Sequence, residues 1–152
     1  MPVQALTPIL NVSNIAESFA WFELLGWHRG FSWNQGGRIG SGLNAAATNE
    51  HGEASFGSVC SGDATIFLCR NGQGSRGTYL PPAAGGIPTD ATDGVWMSWW
   101  MDAPADVDGL YALAREKAMT VTYPPTNEPW GVREFHLRHP DCHVFRVSAS
   151  VE

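Results

Sequence analysis

The chain has 152 residues, 43% of them hydrophobic and 16% charged, enough for one ordinary domain or two very small ones with a buried core. Nine Lys and Arg stand against fifteen Asp and Glu, a formal net charge of −6, which argues against nucleic-acid binding and suits a neutral or cationic small ligand. Cys60, Cys69 and Cys142 form no even set and read as reduced thiols; no signal peptide or membrane span is expected from the sequence, so a cytoplasmic setting is.

Residues 3–12 alternate with a period of two and predict a strand, with Pro8, Leu10 and Val12 on one face and Thr7, Ile9 and Asn11 on the other. Ser13 and Asn14 offer an N-cap, and Asn14-Ile15-Ala16-Glu17 has the form of a capping box. Ile15, Phe19, Phe22 and Leu25 recur at helical spacing over residues 15–25, and Gly26 is placed to end that helix. Residues 27–33 predict a second strand, and the Gly- and Asn-rich stretch 34–52 reads as a loop. Two strands at 53–60 and 64–70 flank a tight turn at Ser61-Gly62-Asp63. Residues 71–94 hold many Gly and Pro and almost no core formers, as expected of a linker or a long functional loop.

The order then repeats. Residues 95–101 predict a strand, and Asp106 is expected to cap a helix running to about 118, with Val107, Leu110, Ala114 and Ala118 on one face. A short strand is expected at 120–123, and a hairpin at 132–138 and 143–148 around His139-Pro140-Asp141-Cys142. Each half therefore reads strand, helix, strand, strand, strand, an α+β pattern with module one at about 1–70, a linker at 71–94 and module two at about 95–152.

Alternation sorts the faces of module two. Phe135, Leu137, Phe145 and Val147, with Val95, Met97, Trp99 and Met101, should pack under the helix. Trp96, Ser98 and Trp100, with Glu134, His136, Val144, Arg146 and Ser148, should face the other way. Such a face is either an ordinary solvated one or the wall of a ligand cavity; seven Trp in one short chain favour the cavity.

Rival chemistries are weaker. His136, His139, Cys142 and His143 match no zinc spacing. Gly72-Gln73-Gly74-Ser75-Arg76-Gly77 fits a dinucleotide loop but leads into Tyr79-Leu80-Pro81-Pro82, not a helix. No Ser/His/Asp set is recognisable, and Asp102, Asp106 and Asp108 suit a helix start better than an acid pair.

Val12-Ser13-Asn14, Trp21-Phe22 and Leu24-Leu25-Gly26-Trp27 resemble the opening of glyoxalase/bleomycin-resistance proteins, the vicinal-oxygen-chelate superfamily. Pro129-Trp130-Gly131-Val132-Arg133-Glu134-Phe135 and His139-Pro140-Asp141-Cys142-His143 resemble the signature of its bleomycin-resistance branch, with His139 in place of the usual Asp and Cys142 in place of the usual Gly. The resemblance implies a single 1–152 domain whose two βαβββ modules form a curved mixed sheet around a cavity, helices outside. It also implies a homodimer with ligand grooves between subunits. Where the superfamily's enzymes carry metal ligands, this chain offers Thr7, then Trp96, Ser98 and Trp100, then Arg146, a cation that would repel a metal. No metal, no other cofactor and no catalytic residue is therefore expected. The expected ligand-binding residues are Phe31, Trp33, Trp96, Ser98, Trp100, Trp130, Glu134, His136 and Arg146. The implied function is sequestration of an aromatic, DNA-damaging antibiotic, with Glu134 and the overall acidity suiting a cationic tail. The alternatives are a metal-dependent lyase, isomerase or dioxygenase with displaced ligands, or an interaction module.

Overall fold

Apolar residues spaced at three and four positions make the helices, apolar residues at every second position make the strands, and each helix lies on the dry face of its own sheet. The computed structural model describes residues 1–35, 37–42, 48–49, 52–77 and 94–151, in two units, Met1–Ser75 and Arg76–Glu152. The class is α+β, built from two βαβββ-like modules with mixed sheets. Most of the stretch 71–94, expected to be a linker or functional loop, lies outside the described residues. Among the described residues no helix is long and apolar enough to cross a membrane.

The first unit runs β1 (Ile9–Val12), α1 (Ile15–Glu23), β2 (His28–Asn34), β3 (Gly37–Ser41), β4 (Thr48–Asn49), β5 (Gly52–Glu53), β6 (Phe56–Ser61) and β7 (Ala64–Arg70). Five strands form one sheet in the order β1-β7-β6-β2-β3, with β1 and β7 parallel; β4 and β5 pair as a separate two-stranded ribbon. Asn14 caps α1, its side chain accepting from Glu17 N at 2.9 Å, and Gly26 takes a φ of +84° just past the helix end. Phe19 and Phe22 of α1 are fully buried with Leu10, Val12, Val59 and Leu68. Gly57 admits the helix: a Cβ there would stand 2.9 Å from the Phe19 ring.

Two expectations for this unit are corrected. The strand expected over 3–12 spans only Ile9–Val12, because pairing with β7 starts at Ile9 opposite Phe67 and the preceding residues lie exposed. The expected loop at 34–52 contains β3 and the β4–β5 ribbon; Gly37, at a φ of +105°, turns the chain back along β2 instead of opening a loop.

The second unit runs β8 (Trp96–Trp100), α2 (Pro104–Glu116), β9 (Thr120–Glu128), β10 (Val132–Arg138) and β11 (Val144–Ser150). Its sheet has the order β8-β11-β10-β9, with β8 parallel to β11 and the other pairs antiparallel. Phe135, Leu137, Phe145 and Val147 are fully buried, Tyr111 of α2 meets the Phe135 ring edge-on at 5.6 Å, and Trp99 stacks on Phe145 at 4.3 Å. Helix α2 begins earlier than expected. Pro104 occupies the first turn, where its missing N–H loses nothing, and Asp106 sits inside the helix, accepting from Ala103 N at 3.0 Å. Ala118 lies beyond the helix end, at a φ of +53°. Strand β9 is five residues longer than expected and contains Pro124 and Pro125; one faces the outer edge, and the register shift between Glu134 and His136, where β9 carries an extra residue, accommodates the other.

The turn joining β10 to β11 departs from its usual residues and keeps its geometry. Cys142 adopts a φ of +66°, the left-handed conformation in which Gly is more common. His139 Nδ1 accepts from Asp141 N at 3.0 Å, the turn bond an Asp side chain would make. His143 Nδ1 accepts from Val95 N at 2.9 Å and so ties the start of β8 to the end of the turn. Gly94 lies so close that a Cβ there would stand 2.0 Å from Cys142 O. Burial, with His143 beside it, lowers the His139 pKa from 6.5 to about 3. Burial likewise raises the Cys142 thiol pKa.

Two outcomes follow from this packing. Trp99→Ala should destabilise the fold by about 3–5 kcal/mol, read as a lowered urea midpoint, because it removes a large ring from the stack on Phe145. The neutral His139 stabilises fully above pH 6.5; below it the unfolded chain binds a proton that the folded chain refuses until about pH 3. Stability should therefore fall steadily as pH drops through that window. His139→Asn, which keeps the acceptor and removes the titration, should flatten the fall when urea midpoints are compared at neutral and acidic pH.

Candidate functional site

The face of the second sheet turned away from α2 is set by three ladders. Register places Trp96 beside Val144, Ser98 beside Arg146 and Trp100 beside Ser148. It places Arg146 beside His136 and Ser148 beside Glu134, and on the next strand Tyr123 beside His136. Ladder neighbours share a face, so these residues form one surface.

A concavity of about 380 Å³ opens on this surface. That volume lies within the range of small-molecule clefts, about 300–1,000 Å³. Trp100 and Trp130 stand at it 69% and 62% exposed, with Val132 as a further apolar wall. Ser98, Glu134, Arg146 and Ser148 supply its polar atoms. Among the described residues neither Trp100 nor Trp130 stacks on another ring, and both are largely exposed.

Glu134 is 3% exposed, and a carboxylate so buried has to be paired to stay charged. Arg146 Nη2 donates to its Oε2 at 2.7 Å, and Ser148 Oγ donates to the same oxygen at 3.3 Å. His136 Nε2 lies 3.8 Å from the other oxygen. The His136 ring is held between Trp96, edge-on at 5.5 Å, and Tyr123, at 4.8 Å. Tyr123 OH donates to Glu128 Oε1 at 2.6 Å, a bond that favours the protonated phenol and raises its pKa. A cationic ligand tail at Glu134 Oε2 would have to displace Arg146.

Five of the nine expected residues, Ser98, Trp100, Trp130, Glu134 and Arg146, line this one concavity, with Trp96 and His136 on the same face beside them. The other two, Phe31 and Trp33, belong to the first unit. There Phe31 packs against Phe56 at 5.9 Å and Phe67 at 5.7 Å, and Trp33 pairs in register with Phe56 and is exposed. The guanidinium of Arg38 lies 5.8 Å over the Phe31 ring. Val132, Ser148, Tyr123, Phe56 and Phe67 were not among the expected site residues. Alternation from Glu134 and Arg146 reaches Val132 and Ser148 directly; the register irregularity opposite Glu134 and His136 hides Tyr123 from it. Among the described residues no three of His, Cys, Asp and Glu come together in a way that could hold a metal ion.

Residues 4–147 match the family profile described as Glyoxalase/Bleomycin resistance protein/Dioxygenase superfamily. No curated protein matches the chain. Among solved structures the chain is similar to hypothetical protein SA1046 from S. aureus, at 17% identity and a TM-score of 0.58 over 97% of both chains. A bleomycin resistance determinant encoded on the transposon Tn5 is 15% identical, with a TM-score of 0.60 over 99% of this chain and 100% of that one. A bleomycin-binding protein complexed with bleomycin is 15% identical, with a TM-score of 0.58 over 97% of this chain and 99% of that one. At such identities the likeness is one of fold.

Proposed function

The chain belongs to the glyoxalase/bleomycin resistance protein/dioxygenase superfamily, and from that premise we propose that it is a non-catalytic binding protein of the cytoplasm. Its ligand is an aromatic, DNA-damaging antibiotic or a similar planar natural product, and sequestration of that ligand confers resistance. The observation that carries this reading is the pair of open indoles, Trp100 and Trp130, at a concavity whose polar groups are already joined in an ion pair. Stacking a planar molecule there buries apolar surface worth roughly 1.5–3 kcal/mol for each well-covered ring, before the losses of ordering. Arg146 and Ser148 both bond Glu134 Oε2, which disfavours that oxygen as a general base. A structural neighbour in complex with bleomycin lends the fold a precedent for small-molecule binding. We propose further that two copies pair, which would cover part of the exposed indole surface of Trp33, Trp96, Trp100 and Trp130.

Tryptophan fluorescence titration against a panel of glycopeptide and enediyne antibiotics should find a quencher that binds saturably. Trp100→Ala and Trp130→Ala should each weaken that binding about tenfold or more while leaving the melting temperature nearly unchanged. Unaltered affinity in both variants would remove the face from consideration. Light scattering at micromolar concentration should give twice the 16.5 kDa chain mass, and a persistent monomer would sink the paired arrangement.

A further inference from the structure

Resting on the reading of this face as a binding surface for aromatic molecules, we propose that it selects ligands whose polar group is an oxyanion, a carboxylate above all, received by Arg146. The net charge of −6 points the other way, towards a cationic ligand, but the charges that meet a bound molecule are local. Among the described residues Glu134 is the one acid lining the concavity; it is 3% exposed, and both hydrogen bonds to its Oε2 come from the protein's own Arg146 and Ser148. An ammonium group therefore meets a buried carboxylate whose Oε2 is already engaged and whose Oε1 lies 3.8 Å from His136 Nε2. Arg146 is differently placed. Its side chain is 36% exposed at the concavity, and of its five N–H groups one is committed to Glu134. A carboxylate can add hydrogen bonds to the remaining donors without disturbing the bond already made. The exposed Ser98 hydroxyl, beside Arg146 in the ladder, is a further donor.

A second cation on the same face acts in the same direction. Arg138 follows His136 by two positions on β10 and pairs in register with Val144. It is 6% exposed, and its Nε and Nη2 atoms are buried with no hydrogen-bond partner among the described residues. A buried charge is little screened by salt, so its positive potential extends along the strand towards the concavity. Glu128, a second acid of this face, accepts from the Tyr123 hydroxyl. Among the described residues the two cations and two acids of this face cancel in sum, so the preference for an oxyanion rests on the open donors that Arg146 presents at the concavity.

Three naphthalenes of matched shape test the proposal on the full chain by tryptophan fluorescence: naphthalene-2-carboxylate, 2-naphthylmethanol and 2-naphthylmethylamine. The carboxylate should bind about tenfold or more tighter than the amine at low salt. Arg146→Met strands the buried Glu134 and risks misfolding, so the double variant Arg146→Met/Glu134→Gln, which removes both charges, is measured beside it. In the double variant the carboxylate should lose its advantage while the neutral alcohol keeps its affinity. Equal or tighter binding of the amine to the native protein overturns the anion preference and leaves the aromatic surface standing. So does a carboxylate preference that persists in the double variant, since Arg146 would not be its source. Failure of all three to bind overturns the aromatic surface and the anion preference together.

Discussion

His139 and His143 hold the turn between β10 and β11, and the turn sets the register of the two strands. Everything on the second sheet depends on that register. In a strand the side chains alternate, so a slip of one residue would carry Phe135, Leu137, Phe145 and Val147 out of the core and bring Glu134 and Arg146 into it. The turn prevents the slip with neutral imidazoles used as acceptors. Each takes a backbone N–H through Nδ1, a role that protonation would abolish, and burial keeps His139 neutral. The arrangement also explains why Cys142 is accepted where Gly is usual: bonds on both sides of it, from Cys142 N to His139 O and from Val144 N to Val95 O, hold the backbone in place.

Much of this was legible in the sequence because period-two patterns are strong where one face is dry. The opposite faces of β8, β10 and β11 could be assigned residue by residue from alternation alone, and the assignment agrees with the burial of Phe135, Leu137, Phe145, Val147 and Trp99. Helix α1 announced itself through Asn14, its apolar spacing and Gly26. The misses share a cause. Strand β3, of sequence GRIGS, carries little apolar alternation, so composition argued for a loop, and only pairing with β2 makes it a strand. Strand β9 extends through two prolines because it is an edge strand with a register shift at Pro124 and Pro125, neither of which local propensity reveals. The start of α2 was misplaced because Asp106 is as good a cap in isolation as it is an N3 residue reaching back; Pro104 was the signal that distinguishes the two.

The candidate site was less legible than the fold, and for a different reason. Alternation says which side chains share a face; it does not say which of them bond to one another. Glu134 read as a carboxylate awaiting a cation, whereas in the folded chain the cation is Arg146, two rungs of the ladder away on the neighbouring strand. Two residues that each resembled a ligand contact therefore form a floor with no net charge. Net charge misleads in the same way. It sums surface carboxylates such as Glu17, Asp63 and Glu116 that have no part in this face, and gives them the same weight as the buried Arg138 that lies on it.

The two units use their aromatic residues differently, and the difference bears on where a ligand gains most. In the first, Phe31, Phe56 and Phe67 pack on one another at 5.4–5.9 Å, so part of each ring is already removed from water before any ligand arrives. Covering such a cluster yields less new burial per ring. In the second, Trp96 is partly engaged by His136, while Trp100 and Trp130 stack on no ring among the described residues. Two indoles left largely exposed bring a standing loss of solvation free energy that the fold alone does not recover. Indole also differs from a plain phenyl ring in offering an N–H at one edge and an apolar face for stacking. Such rings beside the partly exposed side chain of Arg146 give a molecule that is flat on one side and hydrogen-bonding on the other a place to meet both requirements at once.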